Sequence, residues 1–324
     1  VTTNELTRGP VLPAPASGSR TRPSRKRRPG TSRVTSLRAL VWVLPAVLML
    51  AVFVYLPLAQ NFGFSVLEWD IYTGSQSFIG AENYQKMFAD PVFWHALANN
   101  AWYSVISILF QVCGALVLAA LVEGLRHDRW KQVFRVLYFI PSAISLTVAG
   151  LLFYFIYEPE LGLLNAALES LGLGDLTQSW LGQENTAIFA IIAMSQWQGF
   201  GYCTLLFAVA LQRIPSELYE AASIDGVGPV RRFFSVSLPL VREMTGLMMI
   251  VTVSGAFQVF NEVMVMTTGG PNNSSQVLGT WLYRSGFVRN DFGYAAAIAT
   301  AIFFITLSLA LLQLWISRKR RVEW

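Results

Sequence analysis

Residues 292–317 read FGYAAAIATAIFFITLSLALLQLWIS, a run without a single Asp, Glu, Lys or Arg. Crossing roughly 30 Å of hydrocarbon takes about 20 predominantly apolar residues, so this stretch is long enough for one full crossing. Five more segments have the same character, lying within 39–67, 96–122, 136–157, 185–212 and 244–266, and only the last of these holds a charged residue, Glu262. A segment in lipid must satisfy its own backbone hydrogen bonds, which makes helices the reading. The alternating segments of about ten residues that mark a β-barrel are not seen. The expected fold is an all-α integral membrane protein of six transmembrane helices, at about 39–60, 98–122, 136–157, 187–211, 244–266 and 293–316.

Composition points the same way. Of 324 residues 54% are hydrophobic and 13% charged, about half the charge of a soluble protein. With 24 Gly and 2 Cys, neither a collagen-like repeat nor a disulfide scaffold fits. Orientation follows from the basic residues. The segment through Arg38 has nine Lys and Arg, and the second-to-third connection, the fourth-to-fifth connection and the C-terminus have four each. The opposite side has only Lys86, Arg284 and Arg289. By the positive-inside rule both termini belong to the cytoplasmic side of the membrane, in a multi-pass chain. The net charge of +5 therefore reports sidedness and not a nucleic-acid partner.

Residues 1–37, rich in Pro, Ser, Thr and Arg, read as a disordered basic cytoplasmic tail. The apolar run after it is longer than a signal-peptide core and lacks a small-x-small cleavage site, so it reads as a span. The membrane domain then covers 38–317, and 318–324 form a basic C-terminus. Arg25 to Arg28 could also meet acidic membrane lipid, although anchoring the first span is the plainer explanation.

Several chemistries lack their residues. A phosphate cradle ending in Gly-Lys-Ser/Thr cannot form, because the four Lys precede Arg27, Met87, Gln132 and Arg320. His95 and His127 fall on opposite sides of the expected membrane, and Cys113 and Cys203 lie in different spans, so no metal cluster is indicated. No nucleophile elbow or His-Glu-x-x-His helix occurs. The chain reads as a non-enzyme binding no cofactor of its own.

The connection 213–243, RIPSELYEAASIDGVGPVRRFFSVSLPLVRE, carries the most specific signal. Pro215, Ser216 and Glu217 suit a helix start, Gly226 and Gly228 a break, and Pro229 a second start. An amphipathic helix lying on headgroups has a similar pattern. The spelling is more specific: Glu220-Ala221-Ala222, Gly226, then Val236-x-Leu238-Pro239 resembles the EAA motif of permease subunits of binding-protein-dependent ABC importers, with Val236 where Ile is usual. Phe78-Ile79-Gly80-Ala81-Glu82-Asn83-Tyr84 and Thr267-Thr268-Gly269-Gly270-Pro271 resemble external segments of the sugar permeases. The likeness is to MalF/UgpA-like permeases in their compact form, since 158–184 is too short for MalF's large external domain.

The resemblance implies the type I importer permease (MetI-like) fold, with loop 213–243 as coupling element. Leu218, Tyr219, Glu220, Ala221, Ala222, Gly226 and Pro239 would then contact an ATPase that uses ATP and Mg itself. Implied partners are a second permease in a heterodimer, two ATPase subunits, an extracytoplasmic solute-binding protein and a sugar or oligosaccharide. A glycerol-phosphate-type solute is the near alternative.

Translocation needs polar and aromatic groups on inward helix sides. Ser195, Gln198 and Tyr202 fall on one face of the fourth span, Gln258, Asn261 and Glu262 on one face of the fifth, and Tyr154 and Trp197 are candidate stacking rings. The same polar residues could equally be glue between helices. Glu262, five residues before the Thr267 turn, reads as an outer-mouth hydrogen-bonding group. A proton-coupled secondary transporter would instead use it as the coupling acid, and would leave the EAA-like loop unexplained.

Overall fold

The computed structural model describes residues 33–69 and 73–318. The predicted tail up to 32 and the basic residues 319–324 lie outside the described residues. The chain divides at Tyr55/Leu56 into two units. The first contains the helix Arg33–Leu50 and a wider π-type turn, Ala51–Tyr55. This helix starts at Arg33, within the stretch 1–37 read from the sequence as tail. Its apolar side chains from Val41 onward are exposed, as a lipid-facing surface requires.

In the second unit, three breaks shape the bundle. Asp90 caps the helix Pro91–Ser107, its carboxylate accepting from the Val92 amide at 2.9 Å with Pro91 in the first turn. That helix continues through a π-type segment, Ile108–Gly114, to Ala115–Glu123. The third expected crossing is not continuous: Asp128–Ala143 and Leu146–Ile156 meet at 92°. Pro141 sits in the last turn of the first helix and Ser145 caps the second, and together these end one helix and restart another.

The fifth expected crossing, 244–266, is likewise interrupted. Arg242–Phe257 stops at Gln258, and Asn261–Met266 restarts after Phe260. Gln258, Asn261 and Glu262 therefore do not share one helical face, correcting the periodicity argument.

The helix Ala187–Leu211 lies at the centre, with Ala115–Glu123 and Asp128–Ala143 packed along it. Close approach is set at Gly201, where a methyl group would overlap the Tyr138 carbonyl oxygen. One apolar cluster joins Tyr103, Ala149, Ile191, Met194 and Val263, and a second joins Val112, Ala119, Phe207, Leu211 and Met248. A third gathers Phe93, Leu278, Trp281, Tyr294 and Ile298 against the long helix Phe292–Arg318. Outside the helical set, Leu67–Trp69 and Gln76–Phe78 pair antiparallel, with Glu68 opposite Ser77.

Among the described residues, Val41–Phe64, Pro91–Glu123 and Phe292–Ile316 are long and apolar enough to cross a membrane alone, with mean hydropathies of 2.4, 2.6 and 2.4. The bent pair at Ser145 and the pair Pro229–Leu240 with Arg242–Phe257, bent by 73°, are two further candidates. Ala187–Leu211, though uncharged, is not among them, because Ser195, Gln196 and Gln198 interrupt its apolar run.

Candidate functional site

Two regions hold the residues singled out in the sequence. The first is the loop between the helices Ala187–Leu211 and Arg242–Phe257. Ser216–Ile224 forms a helix with Glu217 in its first turn, where the dipole favours negative charge. It ends in a Schellman cap: the Val227 amide donates to the Ala222 carbonyl at 2.9 Å, and the Gly226 amide to that of Ser223 at 3.1 Å. This cap needs a left-handed residue, and Gly226 supplies it at φ +70°. Pro229–Arg232 then starts the return helix.

Tyr219 ties the two arms of the loop together. Its hydroxyl lies 3.1 Å from the Ser237 hydroxyl, and its ring lies under the Arg232 guanidinium at 5.5 Å. Ala222 is buried, whereas Glu220, Ala221 and Pro239 are exposed. Leu218, Ile224 and Val230 present apolar surface, at 41, 87 and 71% exposure. Ile224 and Val230 were not singled out in the sequence. Their signal was available, since each flanks the predicted break with nothing local to cover it.

The second region lies around the breaks in the bundle. Ser195 and Glu262 come together in the interior, bridged by Tyr103, whose hydroxyl donates to the Glu262 carboxylate at 2.7 Å and also meets the Ser195 side chain. Glu262 is 4% exposed. It is thus a buried tie between helices and not a hydrated mouth residue, because Tyr103 from Pro91–Ser107 reaches across to it. Gln198 is half-buried, its amide donating to the Ile144 carbonyl at 3.1 Å. That bond satisfies a backbone group freed at the 92° bend.

Trp197, Tyr202, Tyr154, Gln258 and Asn261 remain exposed. The Trp197 ring rests on Phe153 at 5.1 Å, and Tyr154 meets Phe155 edge-on. The helix Asn261–Met266 packs against both Leu146–Ile156 and Ala187–Leu211. Exposed rings and amides are therefore carried on elements that touch one another. This is the composition a polyhydroxylated ligand requires, with amides to exchange hydrogen bonds and ring faces to cover C–H surface.

Sequence reasoning missed a buried polar network on the fourth expected span. Gln111 donates to Gln196 at 3.0 Å, and Gln196 donates to Ser107 at 3.0 Å. It also missed the pair Asn99 and Asn100. Asn99 donates to the Ser274 and Gln276 carbonyls, both at 2.8 Å. Asn100 donates to the Ala256 carbonyl at 2.7 Å and accepts from the Leu278 amide at 2.9 Å. His95 adds a contact to the Ser274 carbonyl at 3.0 Å. One helix thus holds the segment that follows the Gly-Gly-Pro turn. The available signal was the recurrence of polar residues at helical spacing in the second charge-free segment.

Comparison with known proteins adds to this geometry. The model of a family described as binding-protein-dependent transport system inner membrane component matches residues 115–322. The probable ABC transporter permease protein YurN of Bacillus subtilis (strain 168) is 46% identical over 274 residues, covering 85% of this chain and 94% of the relative. The diacetylchitobiose uptake system permease protein NgcF of Streptomyces coelicolor is 31% identical over 303 residues, covering 91 and 85%. A crystal structure of a bacterial ABC transporter involved in alginate import superposes with a TM-score of 0.76 at 20% identity, covering 88% of this chain and 96% of the other. At that identity the likeness concerns the fold.

Proposed function

Because the chain belongs to the family of binding-protein-dependent transport system inner membrane components, we propose that it is one permease of an ATP-driven importer for a sugar or oligosaccharide. The observation that carries the reading is the loop 216–232: a rigidly capped helical hairpin that leaves Leu218, Ile224 and Val230 uncovered. Such a protrusion fits a socket on a cytoplasmic ATPase better than it fits water, since apolar anchors flanked by Glu220 and Arg231 make a directional plug. The basic connections support a cytoplasmic position for this loop. The chain then crosses six times, with Ala187–Leu211 as the fourth crossing, shielded from lipid by its neighbours.

In the proposed cycle ATP-driven closure of two ATPases displaces the loop. Its motion passes through the 73° elbow into Arg242–Phe257, and the exposed Trp197, Tyr202, Gln258 and Asn261 take substrate from a binding protein on the far side. A second permease completes the pathway. The sugar class is supported by the relative that takes up diacetylchitobiose and by amides and rings exposed together. Affinity purification of the tagged chain tests the reading. An ATPase is expected to co-purify and to be lost on Leu218→Asp with Ile224→Asp, while the permease stays in the membrane. Purification of the intact chain with no ATPase sinks the proposal.

A further inference from the structure

At the elbow between Leu238–Leu240 and Arg242–Phe257 a cavity of about 660 Å³ opens between that helix and the end of the last one. Arg242, Glu243, Gly246, Leu247, Ile250 and Leu314 line it. Arg242 is half-buried here, yet the ion pairs among the described residues are Lys86–Asp291, Lys131–Asp128 and Arg135–Glu123, leaving its guanidinium without a carboxylate. An Arg side chain without a carboxylate partner, at the mouth of a groove whose deeper lining is apolar, is best satisfied where an anion meets it.

The groove also has a direction. Arg242, Gly246 and Ile250 follow at four-residue steps, so the lining runs from a charge at the helix start to pure hydrocarbon about 12 Å deeper. Gly246 removes one side chain from the floor, and Leu247 and Leu314 stay 55 and 46% exposed. Charge at one end and an open apolar trough below it match a glycerophospholipid, not a soluble anion. Glu243, exposed beside Arg242 at the rim, repels an anionic headgroup and attracts a cationic one. We infer that this elbow binds a phospholipid of the cytoplasmic leaflet, its phosphate on Arg242, an amine such as ethanolamine toward Glu243, and an acyl chain along Gly246 and Ile250. The inference rests on the orientation proposed above.

The test is native mass spectrometry of the full complex purified in mild detergent, delipidated and titrated with phosphatidylethanolamine or phosphatidylglycerol. Phosphatidylethanolamine is expected to bind better, and Arg242→Ala to weaken it by roughly tenfold, the effect of losing one charge-assisted contact. Arg242→Lys is expected to retain it, and Gly246→Trp to exclude it with Arg242 in place. Equal lipid binding by wild type, Arg242→Ala and Gly246→Trp overturns the inference, as does preference for phosphatidylglycerol. Leu247→Cys that crosslinks to the second permease or to the chain's own C-terminus, and not to a photoactivatable phosphatidylethanolamine, overturns it too. Labelling of Ile224→Cys by an impermeant thiol reagent, in intact and opened cells, reads the orientation independently. Labelling in intact cells removes the importer reading's geometry, whereas normal orientation with no lipid removes only the lipid site.

Discussion

Gly226→Ala isolates the role of one backbone conformation in the loop. Nothing lies within 4 Å of a Cβ built at Gly226, so the substitution meets no steric obstacle. What it meets is φ +70°, a left-handed conformation that costs an L-residue roughly 1–2 kcal/mol. Stiffening the open form of the loop acts the other way, because Ala has fewer open conformations to lose than Gly, which offsets about 0.4–1 kcal/mol of the strain. The balance is about 1 kcal/mol, or roughly a fivefold fall in the closed cap. Gly228 is the control: it is also unobstructed, but sits at φ −64° and ψ 162°, which any residue adopts. Hydrogen exchange reads the difference directly, through the amides of residues 226 and 227 that close the cap. Exchange is expected to quicken about fivefold in Gly226→Ala and to stay near wild type in Gly228→Ala. Equal protection in the two variants would refute the assignment of the cap to the left-handed glycine.

Four further outcomes follow from the packing. Asn100→Ala strands the Ala256 carbonyl and the Leu278 amide in the interior, and at about 1–3 kcal/mol for each unsatisfied group it is expected to cost about 2–6 kcal/mol in thermal or denaturant unfolding in detergent. Gly201→Ala pushes a methyl into the Tyr138 carbonyl and is expected to destabilise by about 1–3 kcal/mol. Gly255→Ala, in a helix with nothing within 4 Å, is expected to be neutral or to gain up to about 1 kcal/mol in the same assay. Glu262→Gln keeps an acceptor for Tyr103 and is expected to retain ATP-dependent uptake, whereas Glu262→Leu removes that acceptor and leaves the buried Tyr103 hydroxyl only the Ser195 side chain. Uptake that collapses in Glu262→Gln and follows a proton gradient without ATPases would favour the secondary-transporter alternative.

The crossings were legible because hydrocarbon imposes a length and excludes charge, both one-dimensional properties of the chain. The loop was legible because Gly226 and Pro229 are local punctuation with a fixed conformational meaning. The bend at Ser145 was announced by Pro141, but the break at Gln258 was not legible, since hydropathy is as high across a bent helix as along a straight one. This is why Gln258 and Glu262, apparently one turn apart, ended on separate elements, one exposed and one buried. The division of polar residues into ties and open groups was also hidden. Whether Gln198 or Glu262 is free depends on partners 54 and 159 residues away, and nothing in the neighbouring sequence encodes that distance.

The polar middle of Ala187–Leu211 bears on how the protein is made. A helix that carries Ser195, Gln196 and Gln198 at mid-length has a weak claim on the bilayer when it leaves the ribosome, and becomes compatible with lipid once Gln111, Ser107 and the Ile144 carbonyl take up its hydrogen bonds. Its entry therefore depends on a helix synthesised some eighty residues earlier, Gln111 and Gln196 being 85 apart. Loss of Gln111 would thus be felt first during biogenesis, as chains with the fourth helix left outside the membrane and handed to proteolysis, before any defect in a mature transporter could be measured.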